Sequence, residues 1–216
     1  MQELTVSGIY VNAFKNGIRN VLPLVANIAL WGLTAWIPYL NVGTTIGLVS
    51  LPAKMSRGET LSPVEIFDGR YRRQMGEFFL VIAFMVMGSL AGYLFGIIPG
   101  IVIGMAWMLA PLLVIDRSVN PSAALQASNN LTYGKKWTIF FGLLLIQLTG
   151  GAGFGIVVGI GSAIHRVVGA LLALVLLPFL VTVAMGASAH IYGTLIAKVP
   201  VKNTQPQAEH LRPVGT

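Results

Sequence analysis

Residues 78–115 read FFLVIAFMVMGSLAGYLFGIIPGIVIGMAWMLAPLLVI, a run of 38 residues without a charged side chain. A helix rises about 1.5 Å per residue, so about 20 residues cross the roughly 30 Å hydrocarbon core of a bilayer. The run is therefore long enough for two crossings. Pro99 and Gly100 near its middle favour a turn, because proline removes a helical hydrogen bond and glycine tolerates turn geometry. The sequence predicts a transmembrane hairpin here.

Three more uncharged runs flank this hairpin: residues 20–53, 137–165 and 167–197, with 34, 29 and 31 residues. The first has a turn signal at residues 38–41 and is long enough for a second hairpin. The 41–55 segment is short and contains Pro52, so a re-entrant hairpin is the alternative there. We predict an all-α, polytopic membrane protein with six transmembrane helices, near 21–37, 41–55, 78–98, 101–115, 139–161 and 167–197.

The composition supports a membrane protein and excludes an ordinary soluble domain. Hydrophobic residues make up 55% of the 216 residues and charged residues 10%, where soluble domains have about 25% charged residues. With six spans and a cytoplasmic N-terminus, 13 of the 14 Lys and Arg residues fall inside and only Arg166 falls outside. Because basic residues near span ends stay in the cytoplasm, both termini are predicted to be cytoplasmic. Residues 1–197 are predicted to form one membrane domain, and residues 198–216, with three prolines, a disordered cytoplasmic tail.

Short connecting segments precede the predicted hairpins. Residues 5–20 have apolar and polar faces at helical spacing, which is typical of a helix in the membrane interface. Ser62-Pro63 and Asn120-Pro121 each combine an N-cap residue with proline at the first helical position. These two pairs are 58 residues apart, which favours three repeats of an interfacial helix plus a hairpin. The alternative is that any series of hairpins with cytoplasmic connectors has such spacing.

The predicted membrane interior contains no Asp or Glu. Ion-coupled transporters commonly mark their pathways with ionisable groups, so this argues against a carboxylate-based mechanism. Asn27, Gln147 and His190 are candidates for a polar cavity, and hydrogen bonding between helices is the alternative. The chain has no cysteine, and its three histidines show no metal-ligand spacing. No catalytic triad or phosphate-binding loop stands out either, so we expect no catalytic residue, no metal, no cofactor and no enzymatic activity.

Glycines recur every four residues in the predicted spans. Small residues one turn apart let helix backbones approach closely in lipid, so we expect these glycines to lie at helix contacts. The alternative is that residues 150–153, Gly-Gly-Ala-Gly, unwind the fifth span and expose backbone carbonyls to an ion or solute. The recurring glycines are Gly88, Gly92, Gly96, Gly100 and Gly104 in one hairpin and Gly151, Gly155 and Gly159 in the fifth span.

A basic cluster, Arg70, Arg72 and Arg73, lies in a predicted cytoplasmic connector. Each basic residue near a membrane surface attracts anionic headgroups by about 1 kcal/mol, so the cluster predicts contact with anionic lipid. Ordinary positive-inside topology is the alternative. Nucleic acid is not an expected partner, because these charges would lie against a bilayer. The expected partners are membrane lipids and either a membrane protein or a second copy of this chain.

Several motifs in the two large connectors and the second hairpin resemble a bacterial membrane family of unknown function. The family includes the YciC-like inner-membrane proteins, and it is similar to the membrane domain that precedes some glycerophosphodiester phosphodiesterases. The resemblance covers about residues 6–197. It implies a six-span protein of the bacterial cytoplasmic (inner) membrane, and it implies no activity. The motifs are residues 55–59 (MSRGE), Ser62, residues 66–69 (IFDG), 98–101 (IPGI), 109–111 (LAP) and 124–125 (AL), Ser128, Leu131 and residues 134–137 (GKKW).

The sequence thus predicts a non-enzymatic integral protein of the bacterial cytoplasmic membrane. We expect it to support envelope or membrane homeostasis through protein or lipid partners. The alternative is a channel or transporter for a small or amphiphilic solute, which would use the polar candidates and the glycine-rich fifth span.

Overall fold

The computed structural model describes residues 3–197, and these residues are 85% helical with no strand. The predicted tail, residues 198–216, lies outside this range. The prediction of an all-α fold is confirmed. The elements, in order, are α1 (Val6–Arg19), α2 (Val21–Thr34), α3 (Pro38–Ser56), a 3-10 turn (Glu65–Phe67), α4 (Arg70–Arg73), α5 (Met75–Phe95), α6 (Ile97–Trp107), α7 (Ala110–Arg117), α8 (Pro121–Thr132), α9 (Lys136–Ile164) and α10 (Arg166–Ile196).

Four helical segments are long and apolar enough to cross a membrane: α5, the combined Ile97–Arg117 segment, α9 and α10. The combined segment is α6 followed by α7, with a short interruption before Pro111. These four helices are candidate membrane spans and correspond to the last four of the six predicted spans. α2 has only 14 residues and α3, with 19, is less apolar than the other four. The six-span count therefore stays a prediction for the first hairpin.

Close glycine contacts hold the α5–α6 hairpin together, as the glycine spacing predicts. A Cβ atom at Gly88 would lie 2.1 Å from the Trp107 ring, and one at Gly92 would lie 3.1 Å from Cα of Gly100. Gly96 has φ +138° at the turn, a conformation that side-chain-bearing residues rarely adopt. The expectation of a helix contact fails for Gly104, Gly151, Gly155 and Gly159, where an added Cβ would meet nothing within 4 Å. α9 itself is continuous from Lys136 to Ile164. The alternative in which residues 150–153 unwind this helix is therefore wrong.

Each connecting segment packs across the second helix of a hairpin at a small residue. The 3-10 turn crosses α3 at Gly47, where an added Cβ would lie 2.8 Å from Cα of Ile66. α8 crosses α6 at Ala106, whose carbonyl accepts a 2.6 Å hydrogen bond from Ser128 Oγ. Gly47 and Ala106 both lie five residues before a proline. Such corresponding crossings are expected of repeated units, and the repeat itself stays a prediction.

α1 makes the third crossing, and it closes the molecule by joining its two ends. It packs on α10, the last helix of the last hairpin. A Cβ at Gly186 would lie 2.3 Å from the Ala13 carbonyl oxygen, and one at Gly17 would lie 2.9 Å from the Thr182 carbonyl oxygen. Ile9, fully buried, reaches α9 at Gly142. The N-terminal helix thus holds both helices of the last hairpin.

We predict that Gly186→Ala destabilises the protein, because the new methyl group meets the backbone of α1 and the two helices must separate. Overpacking of this kind costs about 1–3 kcal/mol. Thermal unfolding of the purified protein in detergent should show a lower melting temperature. Gly104→Ala is the matched control, because a Cβ there meets nothing within 4 Å. Equal melting temperatures for both variants would contradict the close crossing of α1 and α10.

Candidate functional site

The ends of α3, α7 and α10 meet at one end of the molecule, which is the predicted cytoplasmic end. Asp116 at the end of α7 joins them. Its carboxylate accepts hydrogen bonds from Arg57, which follows α3, and from the hydroxyl of Tyr192 on α10 at 2.7 Å. Arg117 Nε lies 3.5 Å from the same carboxylate. The Asp116 side chain is 11% exposed, whereas those of Arg57 and Arg117 are 42% and 39% exposed, so this small group is a partly buried junction between three helices.

Further ion pairs extend from this junction along the connector between α3 and α5. Glu65 accepts from Lys54 and, at 3.3 Å, from Arg70 Nη2. Arg70 Nε also lies 2.8 Å from Asp68 Oδ2. We call the whole group the ion-pair layer. Its members are Lys54, Arg57, Arg70 and Arg117 with Glu59, Glu65, Asp68 and Asp116.

A cavity of 390 Å³ lies within the ion-pair layer, between α3, α4 and α7. All four cations of the layer line it, but each cation is paired with a carboxylate. The hydrogen bond between Arg57 and Glu59 lowers the pKa of Glu59 and raises that of Arg57, so both stay ionised near neutral pH. Four positive and four negative charges leave the layer neutral. This cavity is therefore a poor anion site, and the layer's evident role is to tie the helices together.

A second cavity, of 480 Å³, lies between α1, the end of α3 and the end of α10. We call it the Arg19 cavity. Its polar side chains are Asn12, Asn16 and Arg19 from α1 and His190 and Thr194 from α10, with Ser56 at its edge. No carboxylate lines it. Within residues 3–197, Arg19 has no ion-pair partner among the acidic residues.

The three residues predicted to share a polar cavity are not brought together. Asn27 is fully buried and joins α2 to the connector that follows α3. Its amide nitrogen donates to the carbonyls of Pro23 and Ser62 at 2.7 and 2.8 Å, and its amide oxygen accepts from the Ile66 backbone at 3.1 Å. Every polar atom of the Asn27 side chain is used, which makes it a structural residue.

Gln147 and His190 lie in two further places. Gln147 is exposed on the outer surface of α9, beside an open row formed by Gly151, Gly155 and Gly159, where an added Cβ would meet nothing within 4 Å. His190 is half-buried and lines the Arg19 cavity. The structure thus does not bring the three residues together, and of the two cavities described above His190 lines the second.

The three arginines of the basic cluster also separate. Arg70 belongs to the ion-pair layer. Arg72 points along α3, with its guanidinium 5.5 Å from the centre of the Tyr39 ring and its Cγ against Gly43. Arg73 is exposed. Contact with anionic lipid stays a prediction, and Arg72 and Arg73 are better placed for it than Arg70, whose charge is already paired.

Comparison with known proteins gives no match: no family model, curated protein or solved structure corresponds to this chain.

The Arg19 cavity is the feature that sequence reasoning missed. The sequence shows Asn12, Asn16 and Arg19 at intervals of four and three residues, which places them on one face of α1. That pattern alone predicts a face turned to water or headgroups. Only the packing of α1 against α3 and α10 turns the face into a cavity wall.

We predict that Asp116→Ala destabilises the protein, because Arg57 and the Tyr192 hydroxyl lose their shared acceptor. Removing one partner of a buried ion pair costs about 3–5 kcal/mol, and partial exposure of Arg57 reduces this to about 2 kcal/mol. Thermal unfolding in detergent measures the loss. Glu59→Gln is the control, because Glu59 is 44% exposed and its removal leaves Asp116 in place. A control variant as unstable as Asp116→Ala would remove the special role of the junction.

Proposed function

We propose that this protein is a non-enzymatic, multi-pass protein of the bacterial cytoplasmic membrane that supports envelope or membrane homeostasis through lipid or protein partners. Both termini are cytoplasmic in this proposal. Its support is the division of the molecule into long apolar hairpins and one polar end.

Exposed apolar side chains on the two long hairpins carry the proposal. Leu94 and Phe95 at the end of α5 are 88% and 87% exposed, and Leu174 on α10 is 71% exposed. Soluble proteins rarely expose contiguous apolar surface on this scale, whereas a lipid bilayer covers it without cost. Apart from Arg166 at the tip of the α9–α10 hairpin, the charged side chains of the described residues lie toward the other end, in the ion-pair layer and around it. A membrane around the hairpins and cytoplasm at the ion-pair layer satisfy both surfaces.

The first hairpin, α2 and α3, fits a re-entrant position better than a full crossing. Fourteen residues of α2 rise about 21 Å, against a hydrocarbon core of roughly 30 Å. The guanidinium of Arg72, from the cytoplasmic connector, lies over Tyr39 near the hairpin tip. If that tip faced the outside, Arg72 would lie across most of the membrane, where an ionised side chain is costly. A shallow re-entrant hairpin keeps Arg72 near the cytoplasmic headgroups. We therefore propose four crossings and a re-entrant first hairpin, a topology that leaves the same 13 basic residues inside.

The outer surface of α9 is the part of the molecule best suited to a helical partner. Gly151, Gly155 and Gly159 form an open row along it, and Gln147 continues the row toward the cytoplasmic end. In lipid, small residues allow close helix contact, and Gln side chains hydrogen-bond between helices. This surface supports the expectation of a membrane protein partner or a second copy of the chain.

The alternative of a channel or transporter receives no support from the described residues. Asn27 is consumed by structural hydrogen bonds, Gln147 faces outward, and α9 is unbroken. A pathway built from these groups would need them in one cavity.

We predict the following labelling pattern for single cysteines, since the chain has none of its own. Ile98→Cys and Arg166→Cys, at the tips of the two long hairpins, react with an impermeant thiol reagent added to sealed cells. Thr60→Cys reacts only after the membrane is opened. Trp36→Cys, at the exposed tip of the first hairpin, also stays unlabelled from outside.

Each residue in this set tests a separate statement. Labelling of Trp36→Cys from outside would restore the six-span topology and remove the re-entrant hairpin. Labelling of Thr60→Cys in sealed cells would overturn the orientation altogether.

We also predict that mild extraction of native membranes into nanodiscs recovers the protein with a reproducible companion, either a lipid class or a second polypeptide. Mass spectrometry of the purified discs identifies it. Gly155→Leu fills the open row on α9, and it should reduce recovery of a protein companion while leaving lipids unchanged. Repeated recovery of the wild-type chain alone, with bulk lipid composition, would contradict the proposed function.

A further inference from the structure

The Arg19 cavity is a candidate binding site that has no role in the proposed function. It is an open recess of 480 Å³ bordered by three helices, and a neighbouring space of 230 Å³ shares Asn16, Arg19, Met55 and Gly58 with it. Together they form a continuous recess along the polar face of α1. The recess is large enough for an organic anion, and side chains of more than one helix line it.

The polar groups of the recess come from two facing helices. α1 supplies Asn12, Asn16 and Arg19, and α10 supplies His190 and Thr194, which are one helical turn apart. The close crossing of these helices at Gly17 and Gly186 fixes the two rows against each other. The site is therefore built by rigid helices, which hold donor groups more exactly than loops do.

The hydrogen-bonding capacity of the recess is largely unused. Among residues 3–197, the side chains of Asn16, Arg19, His190 and Thr194 have no hydrogen-bond partner, whereas Asn12 donates to the carbonyl of Gly8 at 2.8 Å. In the ion-pair layer, by contrast, the polar side chains bond to one another. A guanidinium, an amide, an imidazole and a hydroxyl thus belong to residues that line one space, and none has a partner among the described residues.

The charge of the recess selects the class of ligand. Arg19 is its one ionised residue within the larger space, and the only carboxylate beside the smaller space, Glu59, is paired with Arg57. The recess therefore has a positive charge that no described residue compensates. Guanidinium groups bind two oxygens of a phosphate through parallel hydrogen bonds, and amides and hydroxyls can donate to the remaining phosphate oxygens.

We propose that the Arg19 cavity binds a phosphate-bearing anion, with Arg19 as its charge partner and Asn16, His190 and Thr194 as hydrogen-bond donors. Two sources share this chemistry: the headgroup of an anionic phospholipid and a soluble phosphate. The lipid source rests on the proposed membrane placement, because it requires that α1 lie at headgroup level. The recess itself does not depend on that placement.

The test uses the full-length protein in a neutral detergent at constant ionic strength, with two probes. Native mass spectrometry measures binding of phosphatidylglycerol, and a diacylglycerol with the same acyl chains serves as the phosphate-free control lipid. Equilibrium dialysis measures binding of labelled inorganic phosphate. Arg19→Gln should weaken binding at least tenfold, because a charged hydrogen bond contributes about 1.5–3 kcal/mol.

Lys15→Gln is the matched control variant. It removes the same charge from the same helix. The side chains of Lys15 and Arg19 are both exposed, but only Arg19 lines the recess. Binding by this variant should stay within about twofold of the wild type, since a charge outside the recess acts only through screened attraction. Thr194→Val keeps the charge and the fold and should weaken binding about threefold, a loss typical of one neutral hydrogen bond. It keeps the proposal testable if Arg19→Gln does not fold.

The outcomes separate the two sources and the two proposals. Arg19-dependent binding of phosphatidylglycerol alone supports the lipid source, and Arg19-dependent binding of inorganic phosphate supports the soluble source. No binding of either probe by the wild type overturns the inference, as does an equal loss in Lys15→Gln and Arg19→Gln. Such a failure leaves the cysteine labelling and the nanodisc companion unaffected, so the proposed function stands or falls separately.

Discussion

Ionised side chains are costly inside a hydrocarbon core, and this cost organises the whole molecule. The uncharged helices extend to one side, so the charged residues of the connectors must collect where the helices end. At that level the charged residues lie close together, and carboxylates form ion pairs with basic side chains. Asp116 shows the result: one buried carboxylate receives Arg57 and Tyr192 and thereby joins the ends of three helices. The ion pairs form at the polar end because the apolar helices exclude charged side chains.

The two cavities at this end show how similar composition produces different chemistry. Cations of the ion-pair layer each face a carboxylate, so the 390 Å³ cavity among them is neutral. The Arg19 cavity has fewer charges, but its single guanidinium has no described acidic partner. Binding of an external anion depends on such uncompensated charge more than on the number of basic residues. This is why Arg70, conspicuous in the sequence, is a weaker candidate than Arg19.

Backbone proximity is the second constraint, and it acts where the connectors cross the hairpins. Gly47, Ala106 and Gly186 each allow another segment to approach the helix backbone. Dispersion forces act only at short range, so contacts of this kind stabilise helix packing in lipid without a hydrophobic driving force. The open glycines of α9 also recur every four residues, but they have no packing partner among the described residues. The packed glycines mark contacts within the molecule, and the open glycines mark surface that is available to another molecule.

The sequence by itself determined the helical class and the four long spans, because hydropathy and helix length are local properties of consecutive residues. It also located the connectors. Asn120 caps α8 as predicted, whereas Ser62 caps no helix, because its hydroxyl accepts from Val64 in a turn and the 3-10 turn begins only at Glu65. Only the tertiary structure decided which polar groups meet. Asp116 bonds to partners 59 and 76 residues away in the sequence. Asn27, Gln147 and His190 lie in three different places: the buried contact between α2 and the connector after α3, the outer surface of α9, and the Arg19 cavity. Periodicity assigns a residue to a face of its helix, but what that face meets depends on the packing of distant segments, which no local pattern records.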